Sequence, residues 1–130
     1  MNNAARNARI AREWMGWEPY HFVGGRLEGW YCYGWPNGVR DIRNWAPTTN
    51  LAHAAEARLR ADSWTLRFDA DHAEVTCLLY VGPISPKALS SGRAYLHETH
   101  DRALAECEAT CRAIEAALDA RAAEAAKETA

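Results

Sequence analysis

The chain contains no window apolar enough to cross a membrane, and its start, MNNAARNARIAREWMGWEPY, has no seven-residue apolar core of the signal-peptide kind. A soluble protein of the cytoplasm is therefore the expectation. Charge of one sign is also scarce. The net charge is only -2, whereas a duplex clamp calls for a clearly basic surface, so nucleic-acid duplexes are not expected partners. No glycine-rich phosphate loop is present either, since VGGRLEG at 23–29 lacks the fixed spacing. Cysteine is limited to Cys32, Cys77, Cys107 and Cys111. Without a secretory signal these read as reduced thiols; the last three fall on apolar faces and pack as small hydrophobes.

What is present fits one domain: 130 residues, 48% of them hydrophobic, with six Trp as the unusual component. Charge is unevenly divided. Residues 1–62 hold eight Arg against six acids, and residues 63–130 hold seven bases against eleven.

Helical spacing of Ala4, Ala8, Ala11 and Met15 beside Ile10 and Trp14 predicts a first helix over 4–15, stopped by Gly16. Residues 17–45 are aromatic and Gly-rich, with GG at 24–25 and PNG at 36–38 as turn signals and a strand through Gly29 to Tyr33. Pro47 then fixes the chain's entry into a helix that runs to about Ala61, with Thr48, Thr49 or Asn50 as its cap. Trp64, Leu66 and Phe68 alternate with polar residues as in a half-wet strand, and DADHA makes the turn into a return strand 74–81. In that return strand Val75, Cys77, Leu79 and Val81 face inward, yet Leu78 and Tyr80 make the other face apolar too.

GPISPKALSSG at 82–92 reads as a loop, followed by a strand over 93–98. Leu104, Cys107, Cys111, Ile114 and Leu118 then mark a long helix by their 3-4-3-4 spacing, frayed over its last ten or so residues where only Ala is apolar. The expected fold is α+β: a three-layer α/β/α sandwich with a mainly antiparallel sheet, since a helix on each face would account for both apolar faces of strand 74–81.

MGW at 15–17, WAPTTN at 45–50 leading into a helix, and ETHDRALAECEATCRAI at 98–114 together resemble the phage ABA sandwich domain proteins. These are small phage and prophage proteins, mostly of unknown function, whose sheet has helices on both sides. The resemblance covers nearly the whole chain and implies the same layering. By analogy of setting, it implies a protein that binds something in the host, such as a nucleotide signal of bacterial immunity.

Candidate sites follow from residue chemistry. Trp30, Tyr31, Tyr33 and Trp35, with Arg26, Arg40 and Arg43 near in sequence, combine rings that stack a base with guanidinium groups that grip phosphate. The same residues equally suit a core Trp30 with tyrosines on a wet strand face. His97 and His100 are three apart, not the four of a zinc helix, so no metal is expected. Thr99 reads as a helix cap and Asp101 as a first-turn charge. His21, His53 and His72 stand isolated, without a nucleophile at telling spacing. A non-enzymatic binding protein without cofactor is the expectation, with a nucleotide-like molecule or a host protein as partner. The alternative is a scaffolding homo-oligomer, and apolar surface to spare favours a dimer in either case. Trp45 before Pro47 reads as a joint that anchors the helix it introduces.

Overall fold

The structure is a computed structural model, described here for residues 2–21, 28–32, 38–82 and 87–128. Helix α1 (Asn3–Arg9) is capped by the Asn2 side chain, which accepts from Ala5 N–H at 2.8 Å. It widens into a π-helical segment, Ile10–Trp14, in which Met15 N–H reaches back to Ile10 O. The wider turn lets Ile10, Ala11 and Trp14 enter the core together. Gly16, at φ +74°, then stops the helix where the sequence placed the stop.

Three short strands follow, β1 (Glu18–His21), β2 (Glu28–Tyr31) and β3 (Val39–Asp41), in an antiparallel meander. Helix α2 (Leu51–Arg58) comes next. It is shorter than expected, because the chain tightens into i→i+3 turns from Leu59 to Ala61. A second antiparallel sheet has the order β4 (Ser63–Asp69), β5 (Glu74–Val81), β6 (Lys87–Tyr95). The α+β class is as read from the sequence, but the strands form two three-stranded sheets, not one.

The β4–β5 hairpin has the register that the alternation implied, with Trp64 opposite Leu79 and Phe68 opposite Val75. Its turn is held by Asp69, whose Oδ1 accepts from Asp71 and His72 N–H. The expected loop at 82–92 is corrected: its second half, from Lys87, is already strand β6, with a bulge opposite Leu79 and Tyr80. That half was hidden because Ser90, Ser91 and Gly92 break the apolar alternation while still serving the ladder. The strand also ends sooner, since Leu96–Thr99 form a single helical turn, α3, and His100 adopts φ +60° beyond it. Asp101, not Thr99, caps the following helix, accepting from Leu104 N–H at 3.1 Å.

Helix α4 (Arg102–Glu128) lies across β5 and β6. Its buried face carries Cys107, Cys111, Ile114 and Leu118 together with Ala105, Ala109, Ala113 and Ala117. The alanines permit a close approach that Gly92 completes, because a Cβ at Gly92 would collide with Ala109 O and Ala113 N. Ser90 Oγ donates to Ala113 O at the same crossing. The helix continues to Glu128, exposed from Asp119 onward. On the other face of β5, Leu78 and Tyr80 are half-exposed.

Charge ties α1 to α4. Arg6 donates to Glu108 through two nitrogens and to Glu115 at 2.8 Å, with all three side chains at least four-fifths buried. Hydrogen bonds from Arg6 hold the Glu108 carboxyl below the usual range, outweighing burial, which pushes it up.

Three outcomes are expected. Gly92→Ala should lower stability by about 1–3 kcal/mol in urea denaturation, since the helix backbone must shift. Glu108, depressed in the folded chain, contributes stability above its unfolded pKa of about 4.3 that is lost as pH falls through its folded value. The urea midpoint should therefore drop below about pH 4.5. Arg6→Met should shallow that acid-side loss while lowering the midpoint at pH 7, as an unpaired carboxylate is left part-buried.

Candidate functional site

The segment Trp45 to Asn50 joins β3 to α2 and contributes Ala46, Thr49 and Asn50 to a cleft. Trp45 is 1% exposed, and its indole Nε1 donates to Asn7 O of α1 at 3.0 Å. Its ring meets Trp17 edge-on at a 4.5 Å centroid distance and stacks on His53 at 5.3 Å. Pro47 is buried, and Thr48 donates to Asn7 Oδ1 through both its N–H and its hydroxyl. Of the three candidate caps it is Asn50 that serves, accepting from His53 N–H at 3.1 Å. The joint read from the sequence is thus present in detail.

The turn after β3 and the first turn of α2 enclose a cleft of about 600 Å³ whose lining includes Arg40, Asp41, Arg43, Asn44, Thr49 and His53. His53 Nδ1 accepts from Ala46 N–H at 3.0 Å, so the neutral ring keeps its proton on Nε2. Burial, and then the Arg40 charge, push its pKa down and so favour the neutral ring. Next to the cleft, and sharing Arg43 and Ala46 with it, lies a more apolar crevice of about 430 Å³ lined by Ala4, Asn7, Ala8, Trp30, Ile42 and Trp45.

The sequence candidates separate here. Arg40 and Arg43 both line the cleft, but differently. Arg40 is 8% exposed, donates to both Glu56 oxygens at 3.1 and 3.2 Å, and sits 5.1 Å from the Trp17 ring centroid. Its charge is occupied in fastening β3 to α2. Arg43 is exposed, with its guanidinium 3.0 Å from Asp41 Oδ2, and that contact holds the Asp41 carboxyl down. Surface pairs of this kind are weak and open readily to a competing anion. Trp30 is buried and lines the crevice, so it follows the core reading, while Tyr31 is exposed on β2. Tyr33 and Trp35, with Arg26, lie outside the described residues.

The reading of the sequence missed Asn44 and His53. The signal for His53 was its place three residues after the capping Asn50, which turns its ring back toward Trp45. All four cysteines are buried, with burial pushing the Cys107 thiol up to about 11. Among the described residues no group of three or more His, Cys, Asp or Glu is placed to hold a metal ion, and no helix is long and apolar enough to cross a membrane.

Trp45→Ala should cost about 3–5 kcal/mol in chemical denaturation, through the cavity it leaves and the lost tie to Asn7. A variant as stable as the parent would remove Trp45 from its role as anchor.

No protein family, curated protein or solved structure matches the chain.

Proposed function

We propose that the protein is a small non-enzymatic binding protein of phage type, acting in the cytoplasm of a bacterial host. Its ligand is a nucleotide-like anion, held between the cleft over Arg43 and His53 and the apolar crevice beside Trp30 and Trp45. The observation that carries this reading is the shared wall of the two hollows: Arg43 and Ala46 line both. A flat ring in the crevice therefore places a phosphate within reach of Arg43, with the neutral His53 Nε2–H as a further donor. Arg40 supports the site from beneath by its ion pair and its position between rings. The four thiols are buried and so stand outside the site's chemistry.

The finer layering belongs to the same reading. Helix α4 covers one side of the second sheet, and the half-exposed Leu78 and Tyr80 mark where a second cover of an α/β/α sandwich would lie. The resemblance to the phage ABA sandwich proteins supports this arrangement and the host-directed setting.

Titration with mono-, di- and cyclic nucleotides, followed by Trp fluorescence and calorimetry, tests the proposal. At least one nucleotide should bind at micromolar concentration or below and perturb Trp emission, through Trp45 and Trp30. Arg43→Ala, exposed and structurally undemanding, should weaken binding about tenfold, the loss of one charge-assisted contact. No response across the panel would reject a nucleotide-like ligand.

A further inference from the structure

Strand β4 is an edge: β5 takes one side, and among the described residues nothing pairs with the other. Edge strands are ordinarily blunted by proline, bulges or short length. The opposite edge, β6, follows that rule with a bulge and Lys87 at its start. Strand β4 does not. Its seven residues, SWTLRFD, contain no Pro or Gly and run in unbroken register with β5. It also exposes apolar side chains, with Trp64 at 37%, Phe68 at 38% and the neighbouring Leu59 at 72%.

Each aromatic of the strand already lies under a guanidinium on the α4 side. Arg58 is 4.6 Å from the Trp64 centroid and Arg102 is 4.2 Å from that of Phe68. Arg58 is 5% exposed and donates to Thr110 Oγ1 at 2.8 Å, but its buried Nε has no partner. The rings are thus held in place with their outer sides bare, in the manner of a contact surface awaiting its other half.

We propose that β4 pairs antiparallel with β4 of a second copy, joining the two second sheets into one six-stranded sheet about a two-fold axis at Leu66. Of the registers possible about a two-fold, this one pairs the most of the strand. Centred on Leu66, all seven residues are paired: Trp64 opposes the partner's Phe68 and Leu66 the partner's Leu66 on the α4 side, and Ser63 opposes the partner's Asp69 on the other, next to Thr65 opposite the partner's Arg67. Centring on Arg67 sets that charge against itself, and centring on Thr65 leaves Phe68 and Asp69 unpaired. The two-fold repeats each contact except Leu66 with Leu66, which lies on the axis, so every off-axis pair occurs twice. This surface is separate from the cleft over Arg43 and His53, and the dimer does not depend on any ligand.

Sedimentation velocity over a concentration series tests it, with circular dichroism to confirm folding. The parent chain should be a dimer at tens of micromolar. Thr65→Lys, exposed and opposite Leu78 in its own sheet, sets like charges across the new seam twice and should weaken dimerisation about tenfold. Adding Arg67→Glu should restore it, because acid and base then face each other across the axis. A parent chain that is monomeric at hundreds of micromolar would overturn the proposal, as would a dimer indifferent to Thr65→Lys or a double variant no tighter than the single one.

Discussion

The indole of Trp45 is the constraint on which the N-terminal half depends. Its N–H fastens α1 through the Asn7 carbonyl, one edge meets Trp17, and its face supports His53 at the start of α2. Three elements far apart in sequence converge on one ring, and Arg40 closes the arrangement from the β3 side. Trp45 lines the crevice directly and bears on the cleft through His53, which stacks on its ring, so a residue nearly invisible to solvent contributes to the shape of both. A small domain gains much from this economy, because a large ring buries its area with few rotatable bonds to freeze.

The C-terminal half is organised by closeness instead of bulk. Helix α4 presents alanine and cysteine to the sheet, and Gly92 lets the backbones approach. Ion pairs at its outer side, with Arg6, Arg9 and Arg112, then orient α1 and α3 on it. Polar contacts placed beside an apolar seam fix rotation and register more than they add affinity.

Periodicity made the hairpin of β4 and β5, the stripe of α4 and the Gly16 stop legible, since each depends on local alternation or a single permissive residue. The joint at Trp45 was legible from its Pro and capping Asn. What escaped depended on residues distant in sequence or poor in signal. Alanine carries no side-chain pattern, so half of the buried face of α4 was unmarked. Ser90 and Gly92 read as turn formers because their role is to accommodate a helix that arrives later in the chain. Likewise Arg40 and Arg43 look alike in sequence, and only the position of Glu56 decides that one is a buried fastener while the other keeps an exposed pair with Asp41 at the cleft.

The four thiols occupy places where water does not reach, and burial pushes those of Cys77, Cys107 and Cys111 upward in pKa. In the closed protein they are chemically silent toward alkylating agents and peroxide. Their reaction rate therefore becomes a clock for opening motions, with Cys32 timing the N-terminal meander and the pair on α4 timing the release of the helix from its sheet.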